Sequence, residues 1–219
     1  APIWVEPDGT NRIICVPGAN NSMSPSQAQS AIQEISRSSE IDVVIGQLEI
    51  PQAVTAAAFR AARQRGIPTI LNPAPSAPLS VELLEASDWI IPNESEFADM
   101  HPQGLAPITD EVIVQLSQLP KKKIVVTLGD AGAAYCDNKG HVLRISAHQV
   151  MPKDTTGAGD AFVGAFAFGL ASTFNEVHSI MLGCNCASDS VTKFGTQSSY
   201  PNHKRALEIV AELIDVEHH

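Results

Sequence analysis

The sequence has 219 residues, enough to bury one sizeable core, so a single α/β domain is the default expectation. Hydrophobic residues make up 44% and charged residues 17%, and a formal net charge of −10 excludes a nucleic-acid partner, because no Lys/Arg-rich patch offsets phosphate repulsion. No apolar run of about 18 residues and no signal peptide occurs, and Cys15, Cys136, Cys184 and Cys186 are too scattered for a disulfide framework, so we expect a soluble, cytoplasmic protein with no membrane partner.

From the N-terminus, Ile3-Trp4-Val5 and Arg12-Ile13-Ile14-Cys15-Val16 are β-rich runs either side of Pro7-Asp8-Gly9-Thr10-Asn11, and predict a hairpin or a pair of edge strands. Ser24-Pro25 opens a helix with Ala28, Ala31, Ile32 and Ile35 at helical spacing. Residues 41–49 form a buried-strand pattern that ends in a carboxylate, Glu49. An Ala-rich helix over 52–65 follows, ended by Gly66 and kept from resuming by Pro68. Strand Thr69-Ile70-Leu71 enters the rigid turn Asn72-Pro73-Ala74-Pro75. A short helix over 81–86 then leads to strand Trp89-Ile90-Ile91 and the loop Pro92-Asn93-Glu94-Ser95-Glu96.

Residues 110–119 predict a helix with Val112, Ile113 and Leu116 on one face, and Lys121-Lys122-Lys123 a solvated loop. The apolar strand 124–128 is closed by Gly129-Asp130-Ala131-Gly132. A hairpin is expected from Ala133–Cys136 and His141–Ile145, around Asp137-Asn138-Lys139-Gly140. The Gly-rich string 154–160 opens into an apolar helix reaching Leu170, and further helices are expected near 175–191 and 204–214. Strand–helix alternation with continuous apolar strands predicts a largely parallel sheet covered on both faces. Ligands of such sheets sit beyond the strand carboxyl ends, where Glu49, Asn72, Asn93 and Gly129 fall.

The string Asp154-Thr155-Thr156-Gly157-Ala158-Gly159-Asp160 carries the most chemistry. Its glycines permit close backbone approach, and the free N–H groups of the helix that follows favour an anion, so it can hold a phosphate. Asp160, in the first turn, stands where it can take a proton from an attacking hydroxyl. Asp154 and Thr155 can also simply cap the helix.

Together with Ala161-Phe162, this string resembles the signature of the ribokinase-like sugar kinases, of the phosphofructokinase-B type. Gln47-Leu48-Glu49, Asn72-Pro73-Ala74-Pro75, Pro92–Glu96, Thr127-Leu128-Gly129 and Gly195–Pro201 appear in the order that ribokinases show, so the resemblance covers essentially the whole chain. It implies a ribokinase-like α/β fold with part of a small β lid at 1–17, a nucleotide-binding and catalytic domain at 18–216, and a tag remnant at 217–219. It also implies a kinase that uses ATP, Mg²⁺ and K⁺ to phosphorylate D-ribose at its primary 5-hydroxyl, and a homodimer formed through the lid in the complete protein.

The resemblance likewise implies roles for residues. Asp160 is the base, facing the sugar hydroxyl, and the backbone N–H groups of Thr156, Gly157, Ala158 and Gly159 form the anion hole. Asn93 and Glu96 place Mg²⁺ and the phosphates, although the string alone also reads as a helix start closed by a capping box. Thr127, Gly129, Asp130, Ala131 and Gly132 bind the nucleotide, with Cys184 on the adenine side where relatives often carry Asn. Asp154, Thr156, Ser190, Lys193, Gly195 and Ser199 surround the monovalent cation, and Glu49 contacts the sugar. Ribokinases carry a further N-terminal third with a Gly-Gly motif and sugar-holding Asn and Asp residues, which this sequence does not contain. A related fructose or nucleoside kinase, and a nucleotide-binding fragment without catalysis, are the competing expectations.

Overall fold

Aliphatic and β-branched runs bounded by Gly, Pro or Asn form the strands, and the Ala-rich or amphipathic stretches between them form the helices. The computed structural model describes residues 2–5, 11–38, 40–100, 108–118, 122–137, 139–172 and 174–215. In chain order these hold β1 (Ile3–Val5), β2 (Asn11–Ile13), α1 (Pro25–Ser38), β3 (Val44–Gly46), α2 (Gln52–Arg63), β4 (Thr69–Leu71), α3 (Val81–Ala86) and β5 (Trp89–Ile90). Then come α4 (Glu94–Met100), α5 (Asp110–Gln118), β6 (Lys123–Thr127), β7 (Ala133–Cys136), β8 (Val142–Ile145), α6 (Ala158–Ala171), α7 (Glu176–Ser190) and α8 (His203–Asp215).

Six strands make one sheet in the order β3-β4-β5-β6-β7-β8, and β1 pairs with β2 in a separate antiparallel ribbon. From β3 to β6 the strands are parallel, with Ile45 beside Ile70, Leu71 beside Ile90 and Ile90 beside Ile124. Every residue of β4 and β5 is buried, as expected of parallel strands covered on both faces. The large sheet is mixed and mostly parallel.

The chain divides into two compact units. One comprises Pro17–Thr127 and Ala134–Leu143, and so most of the large sheet. Here α2 buries Val54, Ala56, Phe59, Ala61 and Ala62, and burying Phe59 alone contributes about 1.5–3 kcal/mol. The Trp89 and Tyr135 rings lie 5.8 Å apart, and Lys123 Nζ sits 4.7 Å over the Trp89 ring. The other unit comprises Ala1–Val16, Leu128–Ala133 and Arg144–His219. In it Leu182, Cys186 and Ile209 form a core joining α7 to α8, with Ala165 of α6 packed against it.

Several expectations change. The predicted strand 41–49 is ordered as β only over Val44–Gly46; the chain bends at Leu48–Ile50 before Pro51 caps α2. The second N-terminal strand stops at Ile13; the Ile14 N–H still reaches the Pro2 carbonyl at 3.2 Å, but Ile14 and Val16 are exposed. Of the two readings of 92–96, a loop and a capped helix start, the second holds: α4 begins at Glu94, with the Glu96 N–H bonded to Asn93 Oδ1. The expected turn residues Pro7–Thr10, Lys121 of the lysine cluster and the terminal segment 217–219 lie outside the described residues.

Candidate functional site

The string 154–160 folds into a cradle braced by a distant stretch of chain. Asp154 accepts from the Thr156 N–H at 2.9 Å through Oδ1, and from the Gly195 N–H at 2.9 Å through Oδ2. Bonds from the Thr156 side chain, and then from these two amides, hold the Asp154 carboxyl below the usual range, so it is ionised at neutral pH. The backbone N–H groups of Lys153 and Asp154 both reach the Val191 carbonyl, at 2.7 and 3.3 Å. Gly157 is left-handed, with φ of 81°, and a Cβ there would stand 2.9 Å from the Tyr200 hydroxyl; only Gly meets both demands.

Only some of the amides expected to face an anion are unengaged. The Thr156 N–H is committed to Asp154 and the Ala158 N–H bonds the Thr155 carbonyl at 3.2 Å, so neither is free to face an anion. Among the described residues no acceptor meets the N–H groups of Gly157, Gly159 and Asp160. These three donors open α6, where the helix dipole adds its positive end. Among the described residues the unengaged amides at this opening are thus those of Gly157, Gly159 and Asp160.

The Asp160 carboxylate lies exposed in the first turn of α6 and receives no hydrogen bond from the described residues. Partial burial raises its pKa above the ordinary aspartate value. Its charge in turn helps push the Tyr200 phenol up, after burial of that group. A carboxylate with raised basicity and unfilled lone pairs, beside free amides, suits general-base work.

Ser199 and Ser190 are each 1% exposed, and Ser199 donates its hydroxyl to the Thr196 carbonyl at 2.6 Å. Lys193 directs its ammonium to Asp189 and to the Ser199 carbonyl at 3.1 Å. A cation loop can therefore use only the backbone carbonyl of Lys193. That carbonyl, with those of Thr156 and Gly195, accepts no hydrogen bond among the described residues. All-oxygen donors of this kind fit a hard, weakly hydrated cation such as K⁺.

The glycine loop after β6 closes a 3₁₀ turn, with the Leu128 N–H bonded to the Gly132 carbonyl at 2.8 Å. Gly132 has φ of 93°, and a Cβ there would collide with the Ile145 carbonyl at 2.0 Å. Gly129, Asp130 and Ala131 are exposed, and the Asp130 carbonyl accepts from the Gln149 amide. Cys184, expected on the adenine side, is 3% exposed on α7, and burial pushes its thiol up to about 12.

In the sheet-bearing unit, Asn93 and Glu96 form a closed capping box. The Glu96 N–H donates to Asn93 Oδ1 at 2.9 Å. The Asn93 N–H and side-chain amide return to the two Glu96 oxygens at 2.8 and 2.9 Å. Glu96 is only 7% exposed, and burial outweighs the Asn93 bond to raise its pKa, with Asp99 adding to the rise. Asn93 bridges to Thr127, whose N–H reaches the Pro92 carbonyl at 3.0 Å. Glu49 is exposed past the end of β3, its carbonyl held by the Asn20 side-chain amide at 3.1 Å.

The structure thus gathers Asp154, Thr156, Gly157, Gly195 and Ser199 into one cluster, and Asn93, Glu96 and Thr127 into another. Sequence reasoning gave no role to Tyr200, which roofs Gly157, or to Asp189, which grips Lys193. The Asp189–Lys193 spacing of four, acid before base, was the available signal. Among the described residues no group of three or more His, Cys, Asp or Glu could cage a metal ion, and no helix is long and apolar enough to cross a membrane.

The sequence profile described as pfkB family carbohydrate kinase matches residues 1–203. The ribokinase of Lactococcus lactis is 35% identical over 210 residues, which are 96% of this chain and 65% of that protein. A crystal structure of ribokinase from Thermotoga maritima superposes with a TM-score of 0.80 at 29% identity, covering 95% of this chain and 68% of its own. A ribokinase of Arabidopsis thaliana, complexed with ribose and ATP, gives a TM-score of 0.80 at 28% identity over 95% of this chain and 67% of its own. The chain therefore spans just under two thirds of the length of the Lactococcus relative.

Proposed function

The chain belongs to the pfkB family of carbohydrate kinases, and from that premise we propose that it carries the nucleotide-binding and phosphoryl-transfer machinery of an ATP-dependent ribokinase. The acceptor is the primary 5-hydroxyl of D-ribose and the product D-ribose 5-phosphate. The observation that carries this reading is the Asp160 carboxylate, without a hydrogen bond among the described residues, beside three amides that also lack acceptors.

In the proposed reaction Asp160 accepts the proton of the attacking hydroxyl as its oxygen bonds to the γ-phosphorus. The bond from that phosphorus to the bridging β-oxygen breaks, and ADP leaves. The N–H groups of Gly157, Gly159 and Asp160 stabilise charge spreading over the transferred group, which is the main demand of phosphoryl transfer. The loop Gly129–Gly132 approaches the nucleotide with bare backbone. Glu49 accepts hydrogen bonds from sugar hydroxyls.

Mg²⁺ would be held chiefly by the phosphates and by waters, supplying charge neutralisation. Asn93 and Glu96 fit as supports of those waters, because both Glu96 oxygens are already engaged. K⁺ would be held by Asp154, Ser199 and the carbonyls of Thr156, Ser190, Lys193 and Gly195, fixing the cradle next to the free amides. The β1–β2 ribbon reads as part of a sugar-covering lid, through which the complete protein would dimerise.

Nucleotide binding without turnover is a second reading for these 219 residues. An ATP-consumption screen over ribose, deoxyribose, fructose and adenosine separates the two. Ribose-dependent turnover supports the kinase, and nucleotide binding without turnover on any sugar supports the second reading.

A further inference from the structure

Helix α7 ends on a residue that helix electrostatics disfavours. Asp189 is the penultimate residue of α7, at the end where the macrodipole is negative and a cation is the stabilising choice. Its side chain is only 14% exposed, so burial also opposes its charge. The carboxylate stays ionised nonetheless. Burial would raise its pKa, but hydrogen bonds from Lys193 and Arg205 outweigh that and lower it.

What Asp189 joins explains its position. Oδ2 receives the Lys193 ammonium, and Oδ1 receives Arg205 Nε of α8 at 3.0 Å. The same Lys193 ammonium donates to the Ser199 carbonyl at 3.1 Å, so one cation ties Asp189 to the far side of the loop. Arg205 is fixed from behind by Glu212 at 2.9 Å and Glu208 at 3.3 Å. Two residues on, the Val191 carbonyl holds the backbone of Lys153 and Asp154. Every segment named for the monovalent cation is therefore tied within two residues of Asp189 or through Lys193.

We propose that Asp189 is a positioning residue for the cation loop, setting through Lys193 and Arg205 the spacing of the Lys193 and Gly195 carbonyls and of Ser199 around a monovalent cation. Asp189 touches neither the cation nor a substrate. It makes the loop pre-formed, so that binding K⁺ does not also have to order the backbone. This inference rests on the cation-loop reading given above.

The experiment measures ADP affinity by calorimetry on this chain, while KCl replaces NaCl at constant ionic strength. In the wild type, affinity should rise with K⁺. In Asp189→Asn the half-saturating K⁺ concentration should increase about tenfold, with most of the ADP affinity recovered at saturating K⁺. Lys193→Met keeps the carbonyl and loses the ammonium. It should shift the curve similarly, and the double variant should shift little further because the two residues act as one unit. Lys204→Gln, on an exposed residue of α8, should leave the curve where it was. A K⁺-responsive wild type whose curve superimposes on those of Asp189→Asn and Lys193→Met overturns the positioning role alone. A wild type indifferent to K⁺ overturns the cation-loop reading, and this proposal with it.

Discussion

Two carboxylates, one in each unit, carry pKa values raised first of all by burial, yet they are built in opposite ways. Glu96 is buried and closed in a reciprocal box with Asn93, each of its oxygens receiving a hydrogen bond. Asp160 is exposed and receives none among the described residues. A satisfied carboxylate has spent its basicity on its own helix, whereas an unsatisfied one can spend it on a ligand's proton. The direction of a pKa shift therefore does not mark the base here; the hydrogen-bond partners do.

The largest effect that would break this contrast is on turnover. Asp160→Asn keeps the shape and removes the base, so the rate should fall about 10³-fold while ATP affinity stays within about twofold. Glu96→Gln should cost only about tenfold, as expected of a group acting through water or positioning. Steady-state kinetics with calorimetric ATP titration measures both. Equal losses in the two variants would erase the distinction between them.

The amides beside Asp160 offer a sharper version. Gly157→Ala forces a side chain into a left-handed residue and against the Tyr200 hydroxyl, turning one free N–H away. Activity should drop about 10²-fold, the scale of one lost oxyanion donor. At Gly159 a Cβ meets nothing within 4 Å and φ is not positive, so Gly159→Ala should keep most of the activity. If Gly159→Ala proves as damaging as Gly157→Ala, backbone conformation is not what makes the cradle.

These pairs also show what was legible in the residues. The parallel pairing of β3 to β6 followed from continuous apolar runs alternating with helices, and the Gly-rich opening of α6 from its signature, because both are local patterns. Which amides remain free was not legible. It depends on Asp154 turning back onto Thr156 and across to Gly195, 41 residues away. The burial of Cys184 was not legible for a related reason: position in a motif does not reveal which face of α7 is inward. The capping box at Asn93 was readable from spacing alone, but whether both Glu96 oxygens close on it required coordinates.

Glu96 should show its investment as stability. In Glu96→Gln an N–H₂ group replaces one acceptor and faces the Asn93 donors, so one buried bond is lost. The cost should be about 1 kcal/mol, or roughly 2–4 °C in melting temperature for a chain of this size. Differential scanning calorimetry reads it directly. An unchanged melting temperature would mean that the capping box contributes nothing and that Glu96 is as uncommitted as Asp160.

The smallest effect runs in the opposite direction. Because burial raises the Asp160 pKa above its ordinary 3.8, the folded state prefers the neutral carboxyl, and the ionised form subtracts from stability at neutral pH. Asp160→Asn should therefore melt slightly higher than the wild type at pH 7, while losing its activity. As the pH falls through the raised folded value, the wild type recovers this stability, and below the ordinary aspartate value the two melting curves should meet. A base held ready without hydrogen bonds destabilises its own fold, so the more active carboxylate should be the one whose removal stabilises the protein. A melting series across pH decides this: an Asp160→Asn variant that melts lower than the wild type at neutral pH would reveal a stabilising partner for Asp160, and the contrast with Glu96 would disappear.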